Sequence, residues 1–321
     1  MACYQIHHRT HYAYELPVAV SHHCACLTPQ STGRQRLHNF NIAINPPPSD
    51  LSKRQDYFGN QLHLFSLRQG HGDFTVETNS EVSVEAAELP IAALTPTCDD
   101  VRYSLHRDAS ATGLDARQYL APSPCIEIVD AVRDFAAAFL PCEGNYLDCA
   151  TALAAHIHDS FTFDPAATDV AMPITQVLEQ QRGVCQDFAH VMIACLRARG
   201  LPARYVSGYI LTHPPPGQPR LIGADASHAW VAIYIPQFGW VDIDPTNRQF
   251  ASEEHVTVAV GRDFSDVSML KGAVTGGGEH TVAIQVTLTP LAEPTSERLP
   301  LPQPQPKPKT DTRPRSESVG R

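Results

Sequence analysis

The 321-residue sequence predicts an α+β protein, with an N-terminal antiparallel β domain followed by a domain of helices packed on an antiparallel sheet. Short stretches that alternate apolar and polar residues, punctuated by turn residues, fill the chain up to Glu88. Helix-spaced apolar residues then dominate from Ile126 to Gly200, and runs rich in β-branched and aromatic residues return from Ala203 to Leu288.

The first segment contains Phe74-Thr-Val-Glu-Thr-Asn-Ser-Glu-Val-Ser-Val, and its turns are marked by Pro46-Pro47-Pro48 and Phe58-Gly59-Asn60. Thr95 to Ser123 is mixed in character and reads as a connection. Ile126, Val129, Val132, Phe135 and Phe139 then share a helix face, and Leu147 to Ile157 repeats the spacing. A third helix opens at Cys185, carries Phe188, Val191, Met192, Cys195 and Leu196 on its apolar side, and stops at Gly200 and Pro202. Strands are expected at 203–211, 228–235, 240–244, 256–260 and 280–288, with Pro214-Pro215-Pro216-Gly217 as a loop. The domains are therefore read as 1–115, the β domain, and 116–290, the helix-and-sheet domain with the terminal strands. Residues 291–321, rich in Pro, Lys, Ser and Arg, form a tail expected to be disordered.

With 43% hydrophobic and 18% charged residues, the chain is long enough to bury a sizeable core. Its 24 basic against 34 acidic residues, a net charge of -10, argue against a nucleic-acid footprint or a basic membrane patch. No stretch resembles a signal peptide or a bilayer span. Nine cysteines at irregular spacings read as reduced thiols, so the expected compartment is the cytoplasm.

Cys185 stands where a helix begins. The unpaired N–H groups and the dipole there favour an anion, biasing the thiol toward thiolate and offering donors to an oxyanion formed when it attacks a carbonyl. Expulsion of an amine also needs a proton donor that works near neutral pH. Of the sixteen histidines, His228 in Ser227-His228-Ala229-Trp230 opens an alternating strand and can face a cleft. The next strand, Gly239-Trp-Val-Asp242-Ile-Asp244-Pro-Thr246, ends in an acid able to orient an imidazole.

These three segments together resemble the transglutaminase-like cysteine enzyme superfamily. The resemblance extends to Tyr4-x-Ile-x-His-x-Thr-x-Tyr-x-Tyr, Leu27-Thr28-Pro29, Asp56-x-Phe58-Gly59-Asn60 and Gly261-Arg262-Asp263-Phe264-Ser265-Asp266-Val267, which are similar to bacterial members with an N-terminal β domain. It implies a papain-like core with Cys185 as nucleophile, His228 as general acid and base, and Asp244 as the orienting acid. Asp242 is read as facing away and ranks second. The implied activity is acyl chemistry on peptide or isopeptide amides. Hydrolysis is favoured because a transferase must also exclude water; acyl transfer to an amine and a non-catalytic peptide-binding scaffold are the alternatives.

Gln186, Asp187, Tyr209 and Trp230 are candidate substrate contacts, each weighed against capping or packing. No cofactor or metal is expected. His22-His23-Cys24-Ala25-Cys26 and His156-Ile157-His158 gather soft ligands but lack paired C-x-x-C spacing. Cys195 reads as inert packing, His190 as too far along the helix to touch the thiol, and Arg262 with Asp263 as a structural pair. The expected partner is a peptide or protein substrate; oligomeric state is not legible.

Overall fold

The structure is a computed structural model that describes residues 1–164, 172–213 and 226–291, and among them no helix is long and apolar enough to cross a membrane. The expected Pro214–Gly217 loop and the tail from residue 292 lie outside the described residues.

The first five strands are β1 (Ala2–Ala25), β2 (Gln35–Asn45), β3 (Asp50–Gln55), β4 (Gln61–Leu67) and β5 (His71–Val84). Helices α1 (Cys98–Arg107), α2 (Ala111–Arg117), α3 (Asp130–Phe139) and α4 (Tyr146–Ser160) follow, then β6 (Thr162–Phe163), α5 (Ile174–Gln180), β7 (Arg182–Gly183) and α6 (Cys185–Ala198). The chain continues through β8 (Ala203–Ile210), β9 (Ala226–Ile235), β10 (Gly239–Asp244), β11 (Gln249–Phe250), β12 (His255–Gly261), α7 (Phe264–Val267), β13 (Leu270–Gly276) and β14 (His280–Leu291).

β1 organises the first sheet. Its first half lies between β5 and β14, its second half between β4 and β13, and the register of its β5 ladder breaks between Ala13 and Val18, around Pro17, which has no N–H to donate. β13 and β14, which lie in the 116–290 range read from the sequence as the second domain, pair with β1 in the first sheet. Local spacing identifies a strand but carries no record of its partner. Leu291, read as the start of the tail, is the last residue of β14. Tyr4, Ile6, His8 and Thr10 alternate inward, and Tyr4 and Ile6 join Val82 and Val84 in one apolar core with the helices of the second half.

That second half is built around α6. Every residue from Asp187 to Arg197 is buried, because the helix lies on the β11-β10-β9-β8-β12 antiparallel sheet and is covered by α3, α4 and α5. It ends in a Schellman motif. Gly200 adopts φ +70°, Gly200 N–H donates to Arg197 O at 2.9 Å, and Leu201 N–H donates to Leu196 O at 3.0 Å. The mixed segment after Thr95 holds α1 and α2, which the sequence reading missed because both are short and polar. Their caps were legible, however: Thr97 and Asp100 form a reciprocal capping box, and Ser110 caps Gly113 N–H. Ile126 and Val129 precede α3 rather than belonging to it.

The two halves dock through side chains that imitate backbone. β12 is the edge of its sheet, and Gln35 offers it both an acceptor and a donor: Thr257 N–H to Oε1 at 2.8 Å, and Nε2 to Thr257 O at 2.7 Å. Asn60 does the same for Val260, at 2.9 and 2.8 Å. Asp56 aims that amide, its Oδ1 accepting the N–H groups of Phe58 and Asn60 and its Oδ2 the Asn60 amide, while Gly59 takes φ +86°. The Asp56-to-Asn60 motif therefore seals an exposed strand edge.

Candidate active site

Cys185 is the first residue of α6 and is partly exposed. The start of the helix is fixed by Asp187, whose carboxylate turns back to accept the Val184 N–H at 2.9 Å and is itself 1% exposed. A Cβ on Gly183 would lie 2.7 Å from Asp187 Oδ2, so only glycine leaves room for this reach. The small residue ahead of Cys185 is thus part of how the thiol is presented.

His228 lies near the start of β9 and Asp244 at the end of β10, which pairs antiparallel with β9. The strands bring His228 Nε2 to 2.7 Å from Asp244 Oδ2. Cys185 also interacts with this ring and helps to raise its proton affinity. Burial alone would lower the His228 pKa; the hydrogen bonds to Asp244 and Cys185 outweigh it and raise the value to about 10.

Asp244 is fully buried and fully paired. Oδ2 receives His228 Nε2, the Asn247 amide at 2.7 Å and His255 Nε2 at 3.2 Å, and Oδ1 receives the N–H groups of Thr246 at 2.9 Å and Asn247 at 3.2 Å. Burial pushes this carboxyl up, but the His228 and His255 hydrogen bonds hold it well below the usual carboxylate range. His255 is the residue that sequence reasoning missed. Its Nδ1 accepts from Ser252 N–H at 3.2 Å, so the proton sits on Nε2, aimed at Asp244. The available signal was a histidine opening an otherwise apolar strand, a place where a ring is kept only if its nitrogens are paired.

A cavity of about 510 Å³ opens over Cys185 and His228. One wall comes from the second half, with Val184, Gln186, Tyr205, Ser207 and Phe264. The facing wall comes from the first sheet, with His8, Thr10, Tyr12 and Ile284. His8 is held by Thr10 Oγ1 at 2.8 Å and by the Tyr209 hydroxyl at 3.0 Å, and burial pushes its pKa down to about 4.

Of the four candidate substrate contacts, Gln186 lines this cavity and three do not. Asp187 points into the protein as the helix cap. Tyr209, 1% exposed, lies behind His8, and Trp230, fully buried, packs behind His228 with ring centroids 6.1 Å apart. Strand alternation gives two faces without saying which is the cleft. Asp242 also departs from expectation: residues two apart share a strand face, so it lies on the side of Asp244. It stands opposite Ala232, two residues before Asp244, with Arg34 Nη2 at 3.7 Å.

His228, Asp244 and His255 are the described group whose spacing suits a metal ion. Each polar atom facing the others is already joined in a hydrogen bond, so the geometry is that of a paired network. His190, as expected, does not reach the thiol: Phe264 N–H donates to its Nε2 at 3.2 Å. Arg262 pairs with Asp266 rather than Asp263, through two contacts at 2.9 Å, while Asp263 caps Ser265.

Residues 4–83 match the bacterial transglutaminase-like N-terminal region, and residues 133–245 match the transglutaminase-like superfamily. An uncharacterized protein of Mycobacterium tuberculosis is 36% identical over 293 residues, 89% of this chain and 92% of that one. A protein-glutamine gamma-glutamyltransferase of Pseudomonas aeruginosa is 35% identical over 88 residues, 27% of this chain and 13% of that one. A crystal structure described as a candidate cysteine protease from Cytophaga hutchinsonii has the same fold, with TM-score 0.69 at 19% identity over 91% of each chain. The chain belongs to the transglutaminase-like superfamily and carries its bacterial N-terminal region.

Proposed function

We propose that this member of the superfamily performs thiol-dependent acyl chemistry on peptide or isopeptide amides and resolves the acyl-enzyme with water, as a cysteine peptidase or amidase. The observation that carries the reading is one imidazole joined to a buried carboxylate on one side and to a thiol at a helix start on the other. In the proposed reaction Cys185 attacks the amide carbon and the carbonyl oxygen takes the electron pair, facing the first N–H groups of α6. His228 gives its proton to the departing amine, then takes one from the water that cleaves the thioester. Asp244 holds the imidazole and stays ionised.

Acyl transfer to a primary amine is the second reading, and the stretch shared with the Pseudomonas transferase favours it. Both use the same three side chains. Incubation of the wild-type chain and Cys185→Ala with a glutamine-containing peptide library, with and without a primary amine, separates them by mass spectrometry. Shortened peptides or a one-dalton gain support hydrolysis, and amine adducts support transfer. A library left unchanged by wild type overturns both readings in favour of a scaffold.

A further inference from the structure

A smaller cavity of about 180 Å³ adjoins the cleft, and Tyr12 and Leu270 line both. Aromatic rings build it. Tyr12 stacks on Phe74 at 4.9 Å, and His280 lies 5.7 Å from both Tyr12 and Tyr14. Val274, 43% exposed, stands at the rim, and Lys271 contributes its stem while its ammonium turns to Ser265 O at 3.2 Å. None of these side chains belongs to the Cys185–His228–Asp244 network.

His23 also lines this cavity. It is 7% exposed, its ring is held between Phe65 at 4.9 Å and Phe74 at 4.4 Å, and its Nε2 has no hydrogen-bond partner among the described residues. A buried ring nitrogen left unpaired costs stability, so its retention calls for a use. Gly272 passes directly over the ring, where a Cβ would sit 2.3 Å from His23 Nδ1; any larger residue would displace the imidazole.

We propose that this cavity is a specificity subsite that takes an aromatic side chain of the peptide substrate, tyrosine before phenylalanine. The inference rests on the reading that the cleft receives a peptide. Continuity is the first reason, since an extended chain crossing Cys185 meets Tyr12 and Leu270 next. Size is the second, because a cavity of about 150 Å³ is enough for a benzene ring. Chemistry is the third: stacked rings favour a planar group, and the hydroxyls of Tyr12 and Tyr14 favour one with a polar edge. The neighbouring Lys271 disfavours a cationic side chain.

The test uses the full chain and peptides in which Tyr, Phe, Ala or Lys is moved one residue at a time along an otherwise constant sequence. Binding is read as protection of Cys185 from iodoacetamide, so it does not require turnover. At one position the Tyr peptide should protect at an about tenfold lower concentration than the Ala peptide, with Phe between them and Lys no better than Ala. Val274→Trp, which fills the rim, should reduce that preference to within about twofold while leaving alkylation without peptide unchanged. Tyr14→Ala, which removes the opposite wall, should do the same and guards against misfolding of the first variant. Equal protection at every position, no protection at all, or a preference that survives both variants overturns the subsite. Protection with no product formed would instead defeat the catalytic reading alone.

Discussion

His255 tests whether the network around Asp244 works as the structure implies. In His255→Phe the ring shape is kept while Asp244 Oδ2 loses the donor at 3.2 Å and Ser252 N–H loses its acceptor at 3.2 Å. A hydrogen bond to a charged group contributes about 1.5–3 kcal/mol and an ordinary one about 1 kcal/mol, so the variant should lose about 2–4 kcal/mol of stability. For a protein of this size that is a fall in Tm of several degrees. If a third of the loss is felt at His228, about 1 kcal/mol, Cys185 alkylation at pH 6 should slow roughly fivefold, a tenfold change being about 1.4 kcal/mol. His255→Gln restores a donor close to the Nε2 position and should recover most of the alkylation rate but only part of the Tm. The assays are thermal unfolding and iodoacetamide kinetics. A Tm within one degree of wild type in His255→Phe, or Gln behaving no better than Phe, would refute the assigned tautomer and the role of His255 in holding Asp244 against His228.

Acid should unfold the chain through its neutral core histidines. Burial pushes His8 and His190 down to about 4, below their ordinary value near 6.5. The unfolded chain therefore binds protons first, and stability is full above about pH 6.5 and declines toward pH 4, by up to about 3 kcal/mol for each ring; urea titrations between those limits should show it, and a flat midpoint would contradict it. His228 has the opposite sign: its raised value stabilises the fold below pH 6.5, a contribution lost as pH climbs through about 10. Asn60→Ala removes both bonds to Val260 and should cost about 2–4 kcal/mol by leaving its buried N–H and C=O unpaired, measured by denaturant midpoint. Gly183→Ala forces Asp187 off the α6 N-terminus, so it should lower Tm and slow Cys185 alkylation at least severalfold; unchanged kinetics would mean the cap does not present the thiol.

How far the sequence reaches is clearest at α6. Its apolar spacing, its Gly200 stop and the cysteine at its start are all local signals, and each has its expected place. The pairing of His228 with Asp244 was legible because both lie near the ends of adjacent strands. What local pattern cannot carry is the partner of a strand or the identity of a face. β13 and β14 crossed back to β1, and Trp230 turned away from the cleft by the same alternation that a cleft-facing residue would show. His255, Gln35 and Asn60 act through contacts 11, 222 and 200 residues away in the chain, beyond any spacing rule.

The two partners of His228 make its proton affinity depend on the stage of the proposed reaction. Before attack, Asp244 and Cys185 both raise it, and at about 10 the ring is protonated at neutral pH. It starts as an acid ready for the leaving amine. Once the sulfur is acylated it no longer pairs with the ring, so one of the two supports is gone while burial, which lowers the value, remains. The imidazole left by the departing amine is then less easily recharged and can take a proton from water. Release of the acyl group from the sulfur restores the first state. The fixed carboxylate, with five donors upon it, keeps the ring in place through both halves, and the thiol that reacts is also what switches its partner between acid and base.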